Sequence, residues 1–157
     1  MLNCPWSDTM QTKIKHLSAA DLETGLNEIR DSPKDRSVLD LIVSRPEEDA
    51  REVMELADLH VEVGLVGDTW RDRPSIRSAD GKAHPDMQIT MMNSRVAALV
   101  AQSKDRWPLS GDQLFVDLDL SKANVPPRHP HLRGFGHLGG YEPAAHRLRE
   151  IRRPVRR

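Results

Sequence analysis

The chain has 157 residues, 38% hydrophobic and 30% charged, with a formal net charge of −1. That length suits one domain with a real core, and no apolar run approaches the ~18 residues that a membrane helix needs. The single cysteine, Cys4, excludes an internal disulfide framework and a multi-cysteine zinc site. Met1 to Asp8 carry no basic segment followed by an apolar one, so no secretory signal is read there, and a cytoplasmic address is the expectation.

The near-zero charge hides an asymmetry. Residues 128–157 hold eight arginines and two acids, a net +6, which leaves −7 for residues 1–127. All six lysines lie in the first part, and four of the seven histidines lie in the last. Such a shift marks a basic nucleic-acid-binding tail, or a segment of different origin. Three stretches follow: an extension over 1–15, a domain over 16–127 and an Arg-rich tail over 128–157, expected to lack regular structure.

In chain order, Ser18 and Asp21 resemble a capping box, and Leu22, Leu26 and Ile29 follow at helical spacing. Ser32-Pro33 stops that helix, whose narrow apolar stripe predicts a surface helix lying on something. Val38 to Val43 reads as a buried strand ended by Pro46. The acidic stretch Glu47 to Glu55 reads as a loop or a turn or two of helix. Leu59, Val61 and Val63 alternate with polar residues like a half-buried strand, which Gly64 to Asp68 breaks. Arg71 to Lys82 reads as an exposed loop. Met87, Ile89 and Met91 predict a strand, and Val96, Leu99 and Val100 a helix capped by Asn93 or Ser94. Leu114, Val116, Leu118 and Leu120 alternate with Phe115, Asp117 and Asp119, a strand with a polar outer face. These elements predict a β-rich α+β domain with an incomplete sheet or barrel.

Three segments carry a resemblance: Gly64-Leu65-Val66-Gly67-Asp68, Met87-Gln88-Ile89 with Asn93-Ser94-Arg95, and Leu109-Ser110-Gly111-Asp112-Gln113-Leu114. In order and spacing they resemble the MOSC domain, the C-terminal region of molybdenum-cofactor sulfurases. The resemblance runs over about residues 16–127 and is greatest to a small stand-alone subgroup. It extends through Ser32-Pro33-Lys34-Asp35, Gly64 to Trp70, His84 to Gln88 and Arg106-Trp107-Pro108-Leu109. Many members have Gly-Glu-Asn-Leu where this chain has Gly111-Asp112-Gln113-Leu114; Asp-Gln still keeps one acid and one amide.

The resemblance implies a MOSC-like β-barrel that binds a molybdenum cofactor or carries sulfur for metal–sulfur chemistry, with a molybdopterin-type cofactor or a sulfur-donor protein as partner. It also brings pyridoxal phosphate binding into the expected repertoire. It further implies a cysteine in a Pro-His-Thr-Gly-Cys segment beyond Pro127, where nothing in this chain matches. Read one base later, with wobble bases chosen to suit, residues 128–157 become a string that opens Gly-Thr-Arg, alternates like a strand and contains Pro-His-Thr-Gly-Cys-Ala-Lys-Phe. The tail therefore reads as a frameshifted segment, and the domain as incomplete at its C-terminal side.

Sulfur transfer needs an accessible thiolate or persulfide. Cys4 precedes the domain and has no basic neighbour until Lys13, so no catalytic residue is expected here. The candidate cofactor-binding residues are Gly67, Asp68, His84, Arg95, Asp112 and Gln113. Asp68 either contacts a cofactor group or caps its turn; His84, beside Asp86, either orients a ligand or is an ordinary loop histidine. Arg95 pairs with a pterin phosphate or is solvated at a helix start, and Asp112 and Gln113 hold a ligand or fix a turn. Asp117 and Asp119 read as the solvated face of their strand. The tail histidines His129, His131, His137 and His146 match no metal-ligand spacing, so no metal site is expected.

The reading from another class is a non-enzymatic module whose basic tail contacts nucleic acid or another acidic partner. Only Phe135 and Tyr141 interleave the tail arginines, so base stacking has little support. Strong, salt-sensitive nucleic-acid binding that disappears on deletion of residues 128–157 would select that module. Resequencing the gene across the Pro127 codon is expected to reveal a single-base insertion or deletion; an intact frame shared by close relatives would remove the frameshift reading.

Overall fold

The computed structural model describes residues 16–126 and the main chain of Arg149–Arg152. Cys4, the tail histidines and most of the Arg-rich tail lie outside the described residues. Among the described residues the architecture is mixed α+β: a four-stranded sheet, a three-stranded sheet and two α-helices.

Helix α1 spans Ala19–Arg30. Its start is local chemistry: Ser18 Oγ accepts from the Asp21 N–H at 3.2 Å, and Asp21 Oδ2 accepts from the Ser18 N–H at 3.0 Å. These two bonds satisfy donors that a helix start leaves open. Leu22 and Leu26 stay exposed and no α1 residue is buried. The helix lies on α2, Ser94–Ala101, where Gly25 admits the Leu99 methyls; a Cβ at Gly25 would stand 2.6 Å from one of them.

The first sheet orders β2 (Glu52–Met54), β1 (Val38–Ser44), β6 (Leu114–Asp117) and β5 (Met91–Asn93). The β1–β2 and β1–β6 pairs are antiparallel and β5–β6 is parallel. A register shift between Leu39 and Leu41 marks an irregularity at Asp40. It has a packing consequence, because residues two apart on a regular strand share a face. Here Leu39 joins Ile42, Leu114, Val116 and Leu118 on one side, whereas Leu41 joins Val43, Phe115, Ala97 and Trp107 on the other. The sheet is therefore covered on both faces.

On one face lie α2 and the 3₁₀ helix Lys104–Ser110, whose Trp107 ring stands 5.6 Å from that of Phe115. On the other lies the second sheet, ordered β4 (Gly64–Leu65), β3 (Leu56–His60) and β7 (Arg149–Arg152), all antiparallel. Ala57 and Leu65 of this sheet close the core against β1 and β6. Glu55 alone separates β2 from β3, so one continuous ribbon turns the corner from one sheet to the other.

Several expectations shift. The acidic stretch Glu47 to Glu55 contains strand β2. The alternating segment begins at Leu56, three residues earlier than its pattern, and ends at His60; Val61 is 78% exposed. Gly64 does not break that strand's partner but opens β4, with φ +74° and with Gln88 Cγ only 2.8 Å from where a Cβ would stand. Before β5, Pro85–Met87 forms a 3₁₀ turn, so Met87 is exposed. Within the tail, Arg149–Arg152 forms β7.

The clearest correction is Phe115. Its place between Leu114 and Val116 predicts the polar outer face, yet it is 0% exposed beneath Trp107 and α2. Phe115→Ala is expected to cost about 3–5 kcal/mol in urea unfolding, as for a large core truncation; a loss below about 1 kcal/mol would show that face to be open, as surface substitutions are.

Candidate functional site

Arg45 follows β1, in a position no spacing rule singles out. Its side chain is 9% exposed and that of Asp68 is 0% exposed. Arg45 Nε donates to Asp68 Oδ2 at 2.8 Å and Nη2 to Oδ1 at 3.0 Å, a two-pronged pairing of fork and carboxylate. The Arg45 main-chain N–H adds a third bond at 3.1 Å and the Trp70 N–H a fourth at 2.8 Å. Arg45 Nη1 donates to the Gly111 carbonyl at 2.9 Å. The Arg45 carbonyl in turn accepts from the Thr69 N–H and hydroxyl.

This guanidinium therefore joins the turn Gly64–Trp70 to the turn Gly111–Gln113, which are distant in sequence. Next to it, Gln113 is fully buried. Its Oε1 accepts from the Thr90 N–H at 2.8 Å, while its Nε2 has no partner among the described residues. The Trp70 indole N–H donates to the His84 carbonyl at 3.2 Å. A bonded chain thus runs from Gly111 through Arg45, Asp68 and Trp70 to His84.

Of the candidate residues, Asp68 bonds Arg45 directly, and Gly67, Asp112 and Gln113 belong to the two turns that Arg45 joins. Gly67 provides the left-handed turn, φ +90°, that delivers Asp68. Asp112 accepts from the Ser110 hydroxyl at 3.1 Å. His84 is one link away and caps the 3₁₀ turn Pro85–Met87, with Nδ1 accepting from the Asp86 N–H. Arg95 stands apart: it donates to Asp117 Oδ1 at 2.7 Å and Oδ2 at 3.1 Å, and to the Glu28 carbonyl at 2.8 Å. Asp117 thus holds an arginine rather than facing water alone. Beside it Asn93 caps α2 through Oδ1 and donates to Ser32 and the Leu118 carbonyl, locking α1, α2 and β6 together.

Sequence reasoning passed over Arg45 as a site residue. Its only signal is a charged residue directly after a buried strand, where burial demands an opposite charge elsewhere.

An open depression of about 420 Å³ lies to one side, lined by Trp70, Arg71, Asp72, Arg73, Glu62 and Lys82 among others. None of the six candidate residues lines it, and its charges are mixed in sign. Among the described residues no group of three or more His, Cys, Asp or Glu side chains is placed to hold a metal ion, and no helix is long and apolar enough to cross a membrane.

The charged candidates Asp68, Arg95 and Asp112 each have a protein partner. Arg95 in particular offers a pterin phosphate no guanidinium free of a carboxylate. The described residues do not fit a molybdenum cofactor held by this set, and no chemical step follows through one. No family model, no curated protein and no solved structure matches the chain.

Burial alone would raise the Asp68 carboxyl, but the Arg45 guanidinium and the N–H groups of Trp70 and Arg45 outweigh it and hold the group below its ordinary 3.8. A depressed folded value means the stabilisation is present above pH 3.8 and is lost as pH falls through the folded value. Arg45→Met, which strands a buried carboxylate, is expected to cost about 3–5 kcal/mol at pH 7. Asp68→Asn is expected to remove the part of the acid loss that falls below pH 3.8. Urea unfolding from pH 7 to pH 2 checks both; Arg45→Met within 1 kcal/mol of the parent, the size of an exposed pair, would contradict the network's role.

Proposed function

We propose that residues 16–127 are the front part of a MOSC-type domain, and that this chain carries out little or no sulfur transfer of its own. The observation that carries the reading is the Arg45–Asp68–Gly111 network. It welds together two of the three segments whose order resembles the family, Gly64 to Asp68 and Gly111 to Leu114. Residues so far apart have a physical reason to occur together when one buried guanidinium needs both. The one-residue corner at Glu55, which passes a ribbon from sheet to sheet, supports an incomplete barrel-like form.

In this reading the described candidates are framework. They set the loops against which later strands and a cysteine would be placed. The group that handles sulfur or a molybdenum cofactor is the thiol of the Pro-His-Thr-Gly-Cys segment, encoded one base away from the present tail. Strands supplied by such a continuation would pair further sheet edges, and an edge left unpaired favours association between copies.

Comparing the purified chain with a version whose frame is restored after Pro127 tests this. Molybdenum is measured by elemental mass spectrometry and persulfide by cyanolysis. The chain as it stands is expected to carry neither in stoichiometric amount, and the restored version to gain one of them. Stoichiometric molybdenum on the present chain, together with a cooperative melt, would overturn the proposal.

A further inference from the structure

The outer edge of β3 brings an acidic stretch of the chain against four residues of its basic tail. Residues 47–62 hold seven acids and one arginine, and residues 128–157 carry a net +6. Glu52, Glu55 and Asp58 are exposed and form no ion pair with another described residue. The Asp58 carbonyl accepts from the Val66 N–H at 2.9 Å, so it faces the β4 side. In an antiparallel strand, the polar groups of adjacent residues point to opposite sides. The N–H and C=O of Ala57 and Leu59 therefore face the other edge. There Arg149–Arg152 pairs, with Ala57 opposite Ile151 and Leu59 opposite Arg149.

We infer that the outer edge of β3 is an acceptor site for an extended basic peptide, and that the chain's own Arg149–Arg152 segment is its resident occupant. Main-chain hydrogen bonding to a sheet edge supplies affinity with little demand on sequence, and an open edge is adhesive by nature. The acids flanking β3 select for a basic strand. The same register places Asp58 opposite Glu150, and like charges directly across a strand pair oppose binding. The occupant is thus held by backbone and overall charge but mismatched at one position, which leaves it exchangeable. This depends on backbone and charge, not on the reading frame that supplied the segment, so it stands or falls apart from the MOSC-type reading.

Hydrogen exchange on the full chain reads the Ala57 and Leu59 amides. Both are expected to exchange faster in Ile151→Pro, since proline cannot donate to a ladder, and faster in the unaltered chain as salt screens the charges. Glu150→Lys turns the like-charged pair into an opposed one and is expected to slow both amides about 2–5-fold. A fluorescent peptide of residues 147–157 is expected to bind the Ile151→Pro chain about tenfold more tightly than the unaltered chain, whose own segment competes at high effective concentration. Equal exchange in the chain and Ile151→Pro would overturn the inference. So would equal binding of the same peptide carrying Ile151→Pro, which keeps the charge but cannot donate to the ladder; that would mean charge attraction alone. Dimerisation of Ile151→Pro in place of peptide binding would assign the edge to a second copy and overturn it as well.

Discussion

A buried guanidinium organises this domain. Arg45 leaves β1 with its side chain almost out of water, where an unpaired charge would cost several kcal/mol. Asp68 supplies the countercharge, and the Gly111 carbonyl accepts from Nη1. Asp68 in turn is saturated by three N–H groups of Arg45 and one of Trp70. Such a pair contributes more to geometry than to net stability, because desolvation offsets much of its attraction. What it determines is position: the turn before Trp70 and the turn before β6 can each sit in only one place relative to β1.

The sheets transmit that placement. The irregularity at Asp40 lets β1 serve two cores at once, one under α2 and Trp107 and one against β3 and β4. Asn93 and the Arg95–Asp117 pair then fasten the helices to β6. Most polar residues that look available in the sequence are spent on this fastening. An acid beside glycines, or an arginine at a helix start, reads alike in a sequence whether it holds a ligand or a neighbouring loop. Here Asp68 and Arg95 hold protein. Among the described residues these two charges therefore serve the framework.

A net −7 in one part of the chain and +6 in the other is a composition fact with no obvious consequence until β7 appears beside β3. The acids of the β2–β3 ribbon then become the surroundings of a sheet edge, and Arg149 and Arg152 belong to the strand that reaches it.

Short-range chemistry was legible from residue order alone. Ser18 with Asp21, Asn93 at the start of α2, Ser32-Pro33 at the end of α1 and the apolar run of β1 all act within a few residues, so their spacing states the structure. The core face of β6 was legible for the same reason. Its other face was not, because a period of two says that Phe115 and Asp117 share a side but not whether Trp107 and α2 will cover part of it. The corner at Glu55, the bulge at Asp40 and the pairing of β7 arise from contacts between segments far apart, which leave no local period to read. The same holds for Arg45 and Asp68, 23 residues apart. Asp68 stands out in the sequence only as an acid beside glycines and Arg45 not at all, and only folding places them where neither could be buried without the other.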